Sequence, residues 1–186
     1  MNKDSRNNLI FISVLLLLVV VKVLNSRSTY THSERIFKSD KSKISKILIS
    51  KGNDSIELIK NNAAWKISGN DTMIIKQNRI DNFFDKVLDV KKETLLSQKK
   101  EKWNVLSVDD SLGTHLSLYD KKENKLAHYV FGRSKIDFQR NNIRINDNPN
   151  VYITNQNVIN DIFPRDSFWG EIPKPDSLNI DSLKTF

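Results

Sequence analysis

Cysteine is missing from all 186 residues, which excludes disulfides, thiol nucleophiles, iron–sulfur clusters, thiolate zinc sites and a lipid anchor carried on cysteine. Glycine occurs five times and proline four, too sparsely for a phosphate-cradling loop. No G-x-S-x-G, H-E-x-x-H, Walker or G-x-G-x-x-G pattern occurs. With every such motif absent, the reading is a non-enzymatic protein with no catalytic residue, no cofactor, no metal site and no small-molecule substrate. Alanine is scarce too, whereas Asn, Ile and Lys abound, a bias of coding and not of function.

The charge present is mostly positive: 30 Lys and Arg against 22 Asp and Glu, a net +8. The excess is concentrated early. From Lys22 to Lys51 eight cations face only Glu34 and Asp40, beside the hydrophobic segment, where they would meet anionic lipid headgroups. Nucleic acid is not expected, because the run Lys91, Lys92, Lys99, Lys100, Lys102 lacks interleaved exposed aromatics and reads as a solvated helix end or loop.

The hydrophobic segment itself, Leu9 to Leu24, reads LIFISVLLLLVVVKVL, with Ser13 and Lys22 its polar members. At about 1.5 Å per residue it spans roughly 24 Å, a little short of a ~30 Å hydrocarbon core, with Lys22 able to snorkel. The expectation is an uncleaved transmembrane anchor over 1–24, because the exit Val23-Leu24-Asn25-Ser26-Arg27 lacks small residues for a signal peptidase. Leu9, Ile10, Phe11, Ile12, Val14, Leu15, Leu16, Leu17, Leu18, Val19, Val20 and Val21 would lie in the bilayer. Flanking charge alone leaves the side open, since a long C-terminal part translocates largely regardless of it.

Beyond the anchor, residues 25–43 read as a flexible polar linker in which Ile36 and Phe37 have somewhere to dock. Three strand-like runs follow, at 46–50, 55–60 and 65–68, separated by Gly52-Asn53-Asp54 and Asn61-Asn62. Ile80, Phe83, Phe84, Val87 and Leu88 then fall at helical spacing, with Asn78 as the N-cap. The second half repeats the plan: strands at 115–119, 125–131, 143–145 and 151–153, then a short helix with Ile159, Ile162 and Phe163, capped by Asn157 and stopped by Pro164. The stretch from Gln77 to Phe84 matches that from Gln156 to Phe163 at four of eight positions. The expected fold class is therefore α+β: two related units of antiparallel strands followed by a helix, duplicated within a domain over 44–170, preceded by one transmembrane helix and followed by an extended tail over 171–186.

These pieces carry a resemblance. The opening strands KISKILISKGNDSIELIKNNAAWKI, the helix at Asn78 to Leu88 and the central stretch WNVLSVDDSLGTHLSLYD (103–120) resemble the domain of unknown function 4340 of bacterial cell-envelope proteins. The hairpin ending in Phe131-Gly132-Arg133, the strands NNIRIND and NVYITNQ, and the closing Pro164 to Trp169 follow in that family's order. The signature departs where Val105 to Val108 replace a tyrosine and glycine, and where Ser111 replaces a proline. The resemblance covers about Lys43 to Trp169. It implies an extracytoplasmic accessory moored to the inner membrane with its N-terminus inside, often accompanying ABC-type transport components of the gliding-motility kind, and it carries over no catalytic residue.

Some residues invite chemistry. His115 and His128 sit on two arms of one hairpin and would share a metal if the register set them face to face, but a third ligand is missing nearby, which favours surface strand residues. Asp109 and Asp110 are adjacent, so on a strand they point to opposite faces and cannot flank one bond. Trp65 and Trp103 read as core, whereas Phe168 and Trp169, near the tail, read as an exposed partner contact. The functional expectation is an envelope accessory or scaffold subunit, possible partners being other envelope proteins. The alternative is a module binding wall polysaccharide or lipid.

Overall fold

Residues 46–67 owe their structure to alternation. Ile47 and Ile49 fall on one side of an extended chain, and Ile56, Leu58, Trp65 and Ile67 continue that side after two turns. Gly52 holds the first turn at φ +58°, where a Cβ would be strained. The computed structural model describes residues 11–22, 33–62 and 64–173. Its strands are β1 (Glu34–Arg35), β2 (Lys46–Lys51), β3 (Asp54–Asn61), β4 (Ala64–Ile67), β5 (Ile74–Ile75), β6 (Lys91–Ser97), β7 (Thr114–Tyr119), β8 (Lys125–Arg133), β9 (Asn141–Ile145), β10 (Val151–Thr154) and β11 (Gly170–Glu171). The helices are α1 (residues 11–22), α2 (Gln77–Asn82) and α3 (Asp166–Trp169).

Nine strands join one antiparallel sheet in the order β1-β6-β10-β9-β8-β7-β2-β3-β4, and β5 pairs with β11 apart from it. Two meanders, β2-β3-β4 and β7-β8-β9-β10, are joined where Ile47 sits opposite Leu118 and Ile49 opposite Leu116. One face of the sheet is apolar: Ile47, Ile49, Leu58, Leu116, Leu118, Phe131 and Ile143 are buried in one cluster with Ile80, Phe83, Val87 and Leu88. Those four come from α2, its continuation in a wider π turn over Phe83–Val87, and Leu88, which caps that turn, with Phe84 packed half-buried against Trp65. Asn78 is not the cap; Lys76 holds that position without a side-chain bond.

This sheet overturns the expected pair of strand-and-helix units. The strands of both halves form one continuous sheet with little helix, and the expected second helix shrinks to a 3-10 turn, Ile159–Asp161. Two side chains open this turn and a proline limits its length. The buried Asn141 of β9 accepts the N–H groups of Val158 (2.7 Å) and Ile159 (3.3 Å) on its Oδ1, and Asn157 takes Ile159 as well (3.1 Å). Pro164 then blocks extension.

The transmembrane expectation is corrected as well. Among the described residues no helix is long and apolar enough to cross a membrane. The described part of α1, residues 11–22, rises about 18 Å against a hydrocarbon core of ~30 Å. Single-pass mooring, the membrane as partner and an inner-membrane location built on that span are therefore not supported. Phe11, Ile12 and Val14 to Val21 lie exposed on α1. Leu9 and Ile10, linker residues 25–32 and tail residues 174–186 lie outside the described residues. In the rest of the expected linker, Glu34 and Arg35 form β1 beside β6, and Ile36 and Phe37 are buried, with Tyr129 donating its hydroxyl to the Ile36 carbonyl at 2.9 Å.

Candidate functional site

The outer face of the sheet carries the titratable residues. Pairing places Ser117 opposite His128 and His115 opposite Val130, so the two histidines are diagonal neighbours on β7 and β8 with ring centroids 5.5 Å apart. His128 Nδ1 lies 2.9 Å from the Ser117 hydroxyl, and His115 Nε2 lies 3.3 Å from the Asp110 carbonyl oxygen. Burial, then the charges of His115, Lys125 and Arg144, push His128 below its ordinary value against a small pull from Asp147, which favours the neutral ring at pH 7.

Beside them Arg144 of β9 is buried under the 103–113 loop. It donates from Nε to the Val108 carbonyl (3.0 Å), from Nη1 to the Asn146 carbonyl (3.0 Å) and from Nη2 to Asp110 Oδ1 (2.8 Å), with its guanidinium 4.0 Å from the Trp103 ring centroid. Gly132 lets that loop lie flat on β8, because a Cβ there would strike the Ser107 and Leu106 carbonyls. Asp109 closes the loop by accepting from Leu112 N–H (2.8 Å) and Asn104 (2.7 Å). Burial alone would raise its carboxyl, but these bonds and one from Ser111 carry it below the ordinary value.

Asp109 holds the loop, Asp110 holds Arg144 through one oxygen with its side chain otherwise exposed, and Ser117 is only 7% exposed. No group of three His, Cys, Asp or Glu among the described residues has metal-binding geometry.

The expected contact pair Phe168 and Trp169 is corrected too. Trp169 is fully buried, donating its indole N–H to the Phe163 carbonyl at 2.7 Å and packing edge-on against Phe83. Phe168 is half-buried beneath Arg79, whose guanidinium sits 4.2 Å from the ring centroid. The short α3 turns both back toward α2 before β11 pairs with β5, which is why a position near the tail does not mean exposure.

Beside this region Phe163, Ile74 and Ile172 are exposed, but the two most exposed apolar side chains beyond α1 lie elsewhere. Between β8 and β9, Ile136 is 96% exposed and Phe138 80%. Their loop is braced at every side: the buried Ser134 hydroxyl accepts from Ile136 N–H (3.4 Å) and Asp137 N–H (3.1 Å), and Asp137 accepts from Gln139 N–H (2.9 Å). Asn157 donates to the Phe138 carbonyl (2.8 Å), and Arg140 bridges Asp137 (3.3 Å) and Glu93 of β6 (3.1 Å). Further along β6, Leu95, Leu96, Val105 and Leu106 line a shallow groove of about 460 Å³ rimmed by Lys99 and Lys102. Sequence reasoning misses this loop; its signal is the pair of apolar residues in Ser134-Lys135-Ile136-Asp137-Phe138-Gln139, which have no neighbouring strand to pair with.

No protein-family model, curated protein or solved structure matches this chain. The resemblance to the domain of unknown function 4340 therefore rests on the motifs quoted above and on nothing further.

Proposed function

We propose that this chain is a non-enzymatic accessory or scaffold protein that works by docking onto another protein, with Ile136 and Phe138 as its anchors. The observation that carries this reading is the braced loop over residues 134–140, which holds two large apolar side chains out in water. A pocket that buries them gains about 1.5–3 kcal/mol from each, and bracing removes much of the ordering cost of association. Arg133 and Lys135 are exposed beside the anchors, so the complementary pocket has an acidic rim. The groove at Leu96 and Val105 is a second apolar feature, further along β6 beyond the Arg140–Glu93 ion pair. The resemblance adds a class of partner, a component of a cell-envelope complex such as an ABC-type transporter. The polysaccharide alternative has less to stand on: Trp65 and Trp169 are buried, and Trp103 is packed against Arg144.

The test is site-specific photocrosslinking in cells. With a benzoylphenylalanine in place of Phe138, a discrete adduct is expected, absent when the probe replaces the exposed Lys51 and lost with Ile136→Asp. Equal labelling from both positions, or none from 138, would contradict the proposal.

A further inference from the structure

Each histidine of the outer-face pair has one ring nitrogen in a hydrogen bond. A carbonyl oxygen only accepts, so the contact with Asp110 requires the His115 proton on Nε2 and leaves a lone pair on its Nδ1 in the neutral ring. Ser117 both donates and accepts; when it accepts from His128 Nδ1–H, the lone pair of His128 is on Nε2. Each ring then has one nitrogen tied to a protein oxygen and the other open, which is the arrangement that orients metal-ligating histidines.

We propose that His115 and His128 together bind one first-row transition cation that favours imidazole, Zn(II) being the representative, with water in the remaining positions. The spacing suits this. At a Zn–N bond of about 2.0–2.1 Å the ion stands about 3.2 Å from each ring centroid, and two such arms span the observed 5.5 Å at about 120°, slightly wider than tetrahedral. The antiparallel pairing of β7 with β8 fixes both backbones, so what adjustment the ion requires is confined to rotation of the two side chains. Local charge does not oppose a dication strongly: Arg144 is compensated by Asp110 at 2.8 Å and Asp147 at 3.5 Å, leaving the exposed Lys125 as the uncompensated cation among these groups. No residue of this pair belongs to loop 134–140, so it is tested apart from the docking proposal.

The experiment is calorimetric titration of the full-length chain with Zn(II) at pH 7.5. Saturation at one ion per chain is expected, weakened roughly tenfold or more by His115→Ala and by His128→Ala and unchanged by His32→Ala. Where an alanine variant loses its circular dichroism melt, the glutamine variants replace it. Ring-nitrogen NMR of the wild type provides a readout without mutation: with Zn(II) bound, His115 is protonated on Nε2 and His128 on Nδ1. Absence of saturable binding, affinity indifferent to both histidines, or a Zn(II)-loaded His128 protonated on Nε2 would each overturn the site.

Discussion

Arg144 concentrates the physics of the outer face in one side chain. A buried guanidinium is tolerated because its fork meets two carbonyls and one carboxylate at once, with Trp103 against its plane. Lysine keeps the charge and loses the fork, so Arg144→Lys is expected to cost about 2–4 kcal/mol in urea unfolding, because buried acceptors are left unpaired. A loss under about 1 kcal/mol would mean that the loop repacks without it. None of this is legible in Ile143-Arg144-Ile145, where alternation says only that Arg144 faces away from the isoleucines. That its side of the sheet is covered depends on a loop some thirty-four residues earlier in the chain, as the separation of Arg144 from Asp110 records.

Elements divide by how local their causes are. The strands β2, β3 and β4 are legible because alternation and Gly52 act within a few residues. Helix α2 is legible for the same reason, its apolar stripe being contiguous. The strand β6 is not: Lys91 to Ser97 is half-exposed, bears three charges in its first three residues, and is strand because β10 and β1 pair with it. The two residues of β1 are held by pairing with β6, and Asp89 adds ion pairs to Arg35 at 3.7 Å and to Lys41, just beyond β1, at 2.9 Å. The Lys41 hydrogen bond, with the charges of Lys41, Arg35 and Lys91, holds the Asp89 carboxyl below its ordinary 3.8 against the upward push of burial. Because the folded value is the lower one, the contribution is complete above the ordinary carboxylate range and is lost as pH falls through the lowered value. Hydrogen exchange should therefore show the Ile36 amide, bonded to the Val90 carbonyl at 3.0 Å, losing protection in acid below about pH 4 before Leu116 does. Asp89→Asn should bring that early loss to neutral pH. Parallel protection of both amides at every pH would remove Asp89 from this role.

At the scale of the molecule, two meanders close into one sheet through the β2–β7 pairing, one face sealed by α2 and the other partly by the 103–113 loop. Local pattern finds the meanders but not their union, since register between distant strands is set by which apolar faces must share a core. It likewise finds the two histidines but not their diagonal placement, and it places Trp169 outside when α3 folds it under Phe83. The exposed pair Ile136 and Phe138 stays invisible because exposure is a property of what fails to cover a residue. As a docking anchor, this pair should hold the chain in a complex. The most direct measurement is the native-gel mobility of the full-length chain extracted from its own cells under mild conditions, compared with an Ile136→Asp, Phe138→Asp variant whose stability stays within about 0.5 kcal/mol of wild type. A discrete wild-type complex well above the 21.6 kDa of the chain is expected, collapsing to the free chain in the variant; identical mobility of the two would show that the pair anchors nothing.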